Sequence, residues 1–392
     1  MIHFVPGNRL TLLVSGEDYF PVLLREIAAA RSEIYLETYI YEHDATGIAV
    51  TEALVAAAQR GVAVHVLVDG FGAHAFHPDM RQQLEQAGVH FMVYRPQISP
   101  WTFKRQRLRR LHRKLVVVDG QTGFVGGINI IDDLDTPGHT PPRFDYAVQV
   151  TGPLVAIMRA SARHVWSVVA WTHGQHKLIR DRIDLPTQAH LPGGAAAFVV
   201  RDNIGHRRDI ENAYLDAIRK AKDEILIANA YFLPGRQFRQ ALIQAVRRGV
   251  KVRLLLQGRV EYWLLHYASR ALYRNFLKNG VEIIEYHRSF LHAKVAVIDG
   301  EWATVGSSNI DPFSLMLARE ANIVVRDREF AAILKGSLEQ AIAIGAHNIS
   351  PERWLGLSWR MRLLTWLALA GVRALSALAG FSFETGRRNS ER

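Results

Sequence analysis

The hydrophobic and polar positions along the chain predict two successive α/β units with the same order of elements. In the first unit, residues 33–40 alternate as a strand does, 46–60 and 77–87 have helical spacing, and 62–68 and 89–94 are apolar strands. Strands that alternate with helices in this order run parallel and are covered by the helices. We therefore expect an α/β fold in which each unit holds a mixed, mostly parallel sheet flanked by helices.

The second part of the chain repeats this order of elements. Its helices are predicted at 209–222 and 236–248, and its strands at 224–230, 249–256 and 281–286. The units are predicted to span 1–185 and 195–345, joined by a linker, 186–194, that is rich in Pro and Gly. Duplication of this kind favours a pseudo-two-fold arrangement that brings equivalent residues into one site, so that a monomer suffices.

A His-x-Lys-x4-Asp motif follows the last predicted parallel strand of each half. His112, Lys114 and Asp119 return 180 residues later as His292, Lys294 and Asp299. Both motifs run through β-branched residues into Asp-Gly and a second apolar run, which predicts a β-hairpin. The two-residue period of a strand places each histidine on the same face as its lysine.

Small and amide side chains are predicted to lie beside these histidines. A two-residue Asp-Gly loop would set His112 opposite Gly127 and His292 opposite Ser307. Asn129 and Asn309 would then lie one diagonal step from each imidazole. Lysine and amide groups donate to phosphate oxygens, and a cationic pocket stabilises a five-coordinate phosphorus. We predict the histidines and lysines as catalytic and Asn129, Asn309 and Ser307 as substrate-binding residues of a phosphodiester site.

An imidazole that attacks phosphorus needs an acceptor for its other nitrogen, ideally a carboxylate. Asp145 and Glu320 are the candidates, because each begins an apolar strand shortly after its hairpin. We predict them as histidine-orienting residues. The sequence leaves open whether each carboxylate pairs with the histidine of its own half or of the other.

These residues carry a resemblance to a known family. Two His-x-Lys-x4-Asp motifs, each followed by Gly-[Gly/Ser]-x-Asn and an acidic residue, resemble the phospholipase D superfamily, and within it the bacterial cardiolipin synthases of the B type. The resemblance implies a transphosphatidylation that joins two phosphatidylglycerol molecules into cardiolipin and glycerol, with His112 as nucleophile. It also places Asp119 and Asp299 in the catalytic signature, whereas turn chemistry favours a structural part for both.

The resemblance implies no cofactor, and the electrostatics of lysines and asparagines require no metal. The aspartates of the loop 132–143 are separated by a proline-rich spacing that lacks an ordered ligand loop. Alternative functions are a hydrolytic phospholipase D, a phosphodiesterase or nuclease, and a synthase that uses another donor lipid. The apolar tail argues against a nuclease, so no nucleic acid partner is expected.

Charge and aromatic residues indicate an anionic membrane surface as partner. The net charge is +11, and a basic insertion before His112 carries two aromatic residues. The C-terminal segment 351–392 is predicted to be a membrane-associating tail, because 363–383 is largely apolar; Arg373 near its middle favours a helix in the interface over a spanning one. A helix that closes the core is the alternative. The predicted membrane contacts are Trp101, Arg105, Arg107, Arg109, Arg110, Trp359 and Trp366.

The compartment is predicted from composition. The chain has no cysteine, which fits a reducing environment. Its first residues lack the basic and apolar stretches of a signal peptide. We expect a peripheral protein on the cytoplasmic face of the bacterial cell membrane, with phosphatidylglycerol as its anionic phospholipid partner.

Overall fold

The computed structural model describes residues 2–74, 76–96, 109–135, 140–172, 174, 193–202, 205–260, 262–311, 318–356 and 358–378. Within these ranges the chain alternates strands and helices in two similar halves. The predicted membrane contacts Trp101, Arg105 and Arg107 lie outside the described residues.

The first half is built from nine strands and four helices among its described residues. In chain order they are β1 (Val5–Val14), α1 (Ser15–Ala29), β2 (Glu33–Thr38), α2 (Ala45–Gln59), β3 (Ala63–Asp69), α3 (Pro78–Gln86), β4 (His90–Tyr94), β5 (Arg110–Leu111), β6 (Lys114–Val118), β7 (Thr122–Gly126), β8 (Arg143–Phe144), β9 (Tyr146–Thr151) and α4 (Leu154–Thr172). Asp44 is the N-cap of helix α2, and its side chain accepts the backbone N–H of Gly47.

The second half repeats this plan and adds helices at its end. Its elements are β10 (Gly194–Arg201), α5 (Asp209–Lys220), β11 (Glu224–Asn229), α6 (Arg236–Arg247), β12 (Lys251–Gln257), α7 (Trp263–Lys278), β13 (Glu282–Tyr286), β14 (Phe290–Leu291), β15 (Lys294–Ile298), β16 (Trp302–Gly306), β17 (Ala318–Arg326), α8 (Arg328–Gly345), β18 (Ala346–Asn348), α9 (Pro351–Leu355) and α10 (Trp359–Leu378). The boundaries of the two units, 1–185 and 195–345, stay a prediction.

Both halves share one large mixed sheet, with strand order β18-β13-β12-β11-β15-β16-β17-β10-β1-β9-β7-β6-β2-β3-β4. The α/β class and the duplication agree with the prediction, but parallel pairs do not predominate. In the first half β2–β3 and β3–β4 are parallel, whereas β2–β6, β6–β7, β7–β9 and β1–β9 are antiparallel. In each half, the hairpin and the strand after it pair antiparallel with a short group of parallel strands. The alternation of helices and strands in the sequence does not reveal these antiparallel pairs.

Two short parallel ribbons connect the halves beside the hairpins. β5 pairs with β17, so that Arg110 lies opposite Ala318 and Leu111 opposite Arg319. β14 pairs with β8, so that Phe290 lies opposite Arg143 and Leu291 opposite Phe144. Each ribbon therefore places the residues that precede a motif histidine next to those that precede the carboxylate of the other half.

The hydrophobic core forms three layers around the sheet. Apolar side chains under α1, α2 and α3 form the outer core of the first half, and those under α5, α6, α7 and α10 form that of the second half. The central layer lies under α4 and α8 and takes residues from both halves, including Leu115, Val148, Val295 and Ile323. Because this layer is shared, burial of apolar surface holds the halves together.

Candidate active site

The two hairpins place each motif lysine on a buried strand. β6 pairs with β7 so that Lys114 lies opposite Gly126 and Val118 opposite Thr122; β15 and β16 pair Ile298 with Trp302 in the same way. The loop therefore has three residues between paired positions, and the predicted register with a two-residue loop was wrong by one position. The left-handed φ angles of Asp119 and Gly120, 53° and 63°, make the turn, while the backbone at Gln121 adds the third loop residue.

The motif aspartates hold the turns and do not approach the imidazoles. Asp119 accepts backbone N–H groups of Arg31, Ser32 and Glu33 at 2.8–3.0 Å. Asp299 accepts those of Lys222, Asp223 and Glu224 at 2.9–3.0 Å. Each carboxylate thus ties its hairpin turn to the start of a neighbouring parallel strand, at the opposite end of the hairpin from the histidine. These contacts support the structural part that turn chemistry favours for both aspartates, and their place in the catalytic signature stays a prediction.

His112 is held by the second half of the chain. Its Nδ1 lies 3.0 Å from Glu320 Oε1 and 3.1 Å from Oε2, and its backbone N–H donates to the carbonyl of Arg319 at 3.0 Å. Ser307 donates its hydroxyl to the same carboxylate. Since Nδ1–H donates to a carboxylate, Nε2 carries the lone pair.

His292 is held by the first half in the corresponding way. Its Nδ1 lies 2.6 Å from Asp145 Oδ2, and its backbone N–H donates to the carbonyl of Phe144 at 2.8 Å. Of the two pairings that the sequence leaves open, the structure therefore has the crosswise one. Two-residue ribbons that cross between the halves bring each histidine to the carboxylate of the opposite half.

Charge and burial change the ionisation of this second pair. Burial, with the positive charges of Lys294 and Lys114, lowers the pKa of His292 to about 3, although Asp145 acts in the opposite direction. Burial would raise the pKa of Asp145, but Lys294 and His292 outweigh it and the pKa of this carboxyl is lowered. At neutral pH the ligand-free pair is therefore a carboxylate beside a neutral imidazole.

The lysines are buried next to the histidines. Lys114 Nζ donates to the carbonyl of His112 at 2.8 Å and lies 5.3 Å from the centroid of the Tyr39 ring. Lys294 Nζ donates to the carbonyl of His292 and lies 3.4 Å from Asp145. Burial lowers the pKa of Lys114 to about 7; the charge of Lys294 adds to this effect and Glu320 opposes it. An anion that enters the site would favour the charged lysine.

The predicted substrate ligands fall into two groups. Ser307 is fully buried and donates to Glu320, so the structure gives it an orienting contact with the carboxylate. Asn129 and Asn309 are buried beside the hairpins; Asn129 Oδ1 accepts the backbone N–H of Ile40 at 3.2 Å. This contact fixes the amide plane of Asn129 and leaves its Nδ2 as the donor for a ligand. Asn129 and Asn309 both stay predicted phosphate ligands.

Sequence reasoning missed three residues that position or contact His112 and His292. Asp69 Oδ2 accepts the backbone N–H of Leu111 at 2.7 Å, and Gln257 Nε2 donates to the carbonyl of Leu291 at 3.2 Å. The Tyr39 ring packs on His112 with centroids 4.8 Å apart. Asp69 and Gln257 are polar residues at the carboxyl ends of apolar parallel strands, a signal that could have identified them.

The predicted membrane contacts that the structure describes lie in two places. Arg110 is half-buried on β5, two residues before His112, with its guanidinium 4.8 Å from the Phe71 ring centroid; Arg109 is half-buried beside it. Trp359 and Trp366 lie on α10 and are 68% and 66% exposed. Arg110 therefore belongs to the site region, and α10 carries the exposed aromatic residues.

The described part of the chain holds no group of three or more His, Asp or Glu residues that could bind a metal ion. In the same part, no helix combines the length and apolar character needed to cross a membrane.

Comparison with known proteins decides the family. A family profile described as "Cardiolipin synthase, PLD-like domain" matches residues 23–133 and 214–342, and cardiolipin synthase B of Escherichia coli strain K12 is 38% identical over 96% of this chain and 90% of its own length. The chain belongs to the cardiolipin synthases of the phospholipase D superfamily. It is accordingly an enzyme of the phosphatidyltransferase type, as the resemblance implied.

A further cardiolipin synthase is similar to this chain, and a solved structure shares its fold. Cardiolipin synthase A of Pseudomonas aeruginosa is 33% identical over 86% of this chain and 67% of its own length. The crystal structure of phosphatidylserine synthase from Haemophilus influenzae Rd KW20 has a TM-score of 0.72 and 14% identity, and the match covers 96% of this chain and 97% of that one. At this identity the likeness shows a shared fold.

Proposed function

We propose that this cardiolipin synthase joins two phosphatidylglycerol molecules by transphosphatidylation. The observation that supports the proposal is the crosswise pairing of His112 with Glu320 and of His292 with Asp145, with a buried lysine beside each imidazole. One chain supplies all of these groups, so a monomer suffices for the chemistry. The lysines and asparagines stabilise the charge that develops on a five-coordinate phosphorus.

In the first step, His112 Nε2 attacks the phosphorus of one phosphatidylglycerol. The bond between phosphorus and the headgroup glycerol oxygen breaks, and His292 gives that oxygen a proton from Nε2. Glu320 stabilises the imidazolium that forms at His112, in the way that a buried carboxylate supports a histidine elsewhere in catalysis. Glycerol leaves, and a phosphatidyl group stays bound to His112.

In the second step, His292 accepts the proton from a glycerol hydroxyl of a second phosphatidylglycerol. The hydroxyl oxygen attacks phosphorus, the bond to His112 breaks, and cardiolipin is released. His292 must be protonated for the first step and neutral for the second. Burial, together with the charges of Lys294 and Lys114, keeps it neutral in the empty site, and the negative charge of a bound phosphodiester opposes the lysine charges and raises the pKa of His292.

A product assay tests this function against its alternatives. Vesicles of labelled phosphatidylglycerol are expected to yield cardiolipin and glycerol, and labelled single-stranded DNA is expected to remain intact. Phosphatidic acid as the sole lipid product would support a hydrolase, and cleaved DNA a nuclease. His112→Ala and His292→Ala are each expected to lower turnover by about a thousandfold or more. His206→Ala is the matched control, because His206 forms an exposed pair with Asp209 at 2.7 Å.

We also propose that α10 attaches the enzyme to an anionic bilayer. Thr365, Ala368, Leu369 and Val372 form its buried face, which packs on α7. The opposite face exposes apolar side chains at helical spacing, and it is flanked by exposed arginines. The exposed apolar residues that cluster on this face are Trp359, Leu363, Trp366 and Leu367. Aromatic and apolar residues on one face with arginines at its sides suit the interface of an acidic membrane.

The sequence left two interpretations of this helix, one that closes the core and one that lies in the membrane interface. The buried face of α10 supports the first and its exposed face supports the second, so each interpretation describes one side of the helix. The exposed faces support a peripheral attachment. Its location on the cytoplasmic side stays a prediction from the sequence, as do the contacts assigned to Arg109 and Arg110.

Vesicle flotation tests this attachment. The double substitution Trp359→Ser and Trp366→Ser is expected to weaken binding to phosphatidylglycerol vesicles by about tenfold, since each indole contributes apolar area and an interfacial N–H. Trp171→Ser is the matched control, because Trp171 is 55% exposed on another helix, α4. Equal losses in the control, or none in the double variant, would refute α10 as the attachment.

A further inference from the structure

The ribbon next to His292 carries a guanidinium that the proposed mechanism does not use. Arg143 begins β8, two residues before Asp145, the carboxylate that holds His292. Arg143 lies opposite Phe290 in the ribbon, and its Cζ is 5.6 Å from the centroid of the Phe290 ring. That ring also stacks on His292, with centroids 5.8 Å apart at 21°. The guanidinium therefore lies on the His292 side of the site.

Arg143 has a buried donor that no described residue satisfies. Its Nε atom is inaccessible to solvent and makes no hydrogen bond within the described residues. Asp133 lies within electrostatic range, but its carboxylate accepts the backbone N–H of Gly16. A buried N–H without an acceptor is unfavourable. The contact with Phe290 orients the guanidinium without supplying an acceptor, and no described residue supplies one to Nε.

The proposed function, on which this inference rests, places a second anion close to this position. The acceptor lipid brings its hydroxyl to His292, and its own phosphodiester follows at the other end of the same three-carbon glycerol unit. The lysines and the two imidazoles surround the reacting phosphorus and are not available to this second phosphate. Arginine binds phosphate oxygens through two parallel N–H donors.

We infer that Arg143 binds the phosphodiester of the acceptor phospholipid and thereby selects an anionic lipid alcohol over water or a neutral alcohol. The site thus has two phosphate positions, one between the histidines and one at Arg143. The pseudo-symmetric ribbon carries Arg110, which lies two residues before His112 and contacts Phe71. Arg110 is on the donor side and is not assigned to the acceptor.

A partition experiment tests this inference. Vesicles of labelled phosphatidylglycerol are supplied together with ethanol, so that one phosphatidyl-enzyme partitions between cardiolipin and phosphatidylethanol. The ratio of these products is expected to fall by about tenfold in Arg143→Gln and to recover in part in Arg143→Lys, which keeps the charge but not the two-donor geometry. The ratio does not depend on how much of the variant is folded. Arg328→Gln is the control, because Arg328 is 83% exposed in its side chain, and its ratio is expected to equal that of the wild type.

Three results separate the possibilities. An unchanged product ratio in Arg143→Gln would overturn the inference. A selective fall in Arg110→Gln but not in Arg143→Gln would also overturn it, because the second phosphate would then lie on the other ribbon. Absence of cardiolipin with the wild-type enzyme, while phosphatidylethanol still forms, would refute the proposed function itself.

Discussion

The two histidine sites share one framework but differ in the carboxylate that each imidazole meets. Asp145 reaches His292 beside Gly127, where an added Cβ would lie 2.3 Å from Asp145 Oδ1. In the other site the longer Glu320 reaches His112, and Ser307 occupies the position equivalent to Gly127 and donates to the carboxylate. Each site therefore holds its imidazole with a carboxylate, but one site combines the shorter aspartate with a glycine and the other combines the longer glutamate with a serine.

The difference shows how the halves depend on each other. Gly127 and Asp145 belong to the first half and support the histidine of the second, while Ser307 and Glu320 do the reverse. The backbone before each histidine is also held with opposite polarity, because Asp69 accepts an N–H whereas Gln257 donates to a carbonyl. Each half therefore holds the backbone before its own histidine, but the imidazole is held by the carboxylate of the other half, and the site is complete only when both pack together.

Removal of the carboxylate charges should give the largest effects. Asp145→Asn and Glu320→Gln are each expected to lower kcat by about a thousandfold, because the imidazole loses its orientation and the partner that stabilises its cation. Asp145→Asn should lose more, since Asp145 also lies 3.4 Å from buried Lys294. Steady-state kinetics on phosphatidylglycerol vesicles measure both, with Asp209→Asn as the control for a carboxylate outside the site. A larger loss in Glu320→Gln would contradict this ranking.

Alanine at the two equivalent positions, 127 and 307, should have different effects on kcat. Gly127→Ala is expected to lower kcat by about a hundredfold, because the new Cβ displaces Asp145 from His292. Ser307→Ala should cost less than about tenfold, since a Cβ is already present and one hydrogen bond to Glu320 is lost. Kinetics with unfolding temperatures of both variants distinguish loss of geometry from loss of fold. Equal effects would show that the two sites are packed alike.

The pH dependence of kcat/KM should show the ionisation of Lys114. Burial lowers the pKa of Lys114 to about 7, and a lysine loses its charge as the pH rises through its pKa. The kcat/KM of the free enzyme is therefore expected to fall above about pH 7. Lys114→Arg keeps the charge and should move this alkaline limb to higher pH. An alkaline limb at the same pH in the variant would assign the titration to another group.

Away from the site, the halves differ at two equivalent strand positions, His65 of β3 and Arg253 of β12. We expect a smaller effect there, on the pH dependence of stability. Burial lowers the pKa of His65 to about 4, whereas Arg253 pairs with Glu339. Between about pH 4 and 6.5 the unfolded chain binds a proton that folded His65 does not, so stability from this group is present above 6.5 and is lost as the pH falls. His65→Phe should remove about 1 kcal/mol of this dependence, discounted for partial exposure.

Urea unfolding at pH 4.5 and 7 measures this pH dependence of stability. His90→Phe is the comparison, because His90 stacks on His65 with ring centroids 4.9 Å apart but is exposed. A stability difference between the two pH values that is the same in His65→Phe and the wild type would contradict the expectation.

Local patterns were enough to predict the duplicated α/β order, the hairpins and the residues of each motif. The position of Asp145 and Glu320 at the start of a strand identified the carboxylates, but not their crosswise pairing. That pairing depends on ribbons of two residues per strand, which have no periodicity to detect. The hairpin register was missed for a similar reason, since Asp-Gly alone does not fix the loop length.

Substrate contacts were harder to predict than the catalytic groups. Ser307 was assigned to the substrate because it is small and polar, yet in the fold its hydroxyl meets Glu320, a residue 13 positions later. Arg143 was overlooked because a single arginine after a proline-rich loop resembles an ordinary surface charge. Its contact with Phe290 arises only when β8 and β14 pair.

In the proposed mechanism two imidazoles act on a single phosphorus atom, and His112 carries the phosphatidyl group. Rapid mixing of the enzyme with labelled phosphatidylglycerol, alkaline quenching and mass spectrometry of the peptides tests it directly. We expect a phosphatidyl adduct on His112, which disappears in His112→Ala and decays when acceptor lipid is added. An adduct on another residue, or cardiolipin formation at full rate without any adduct, would contradict it.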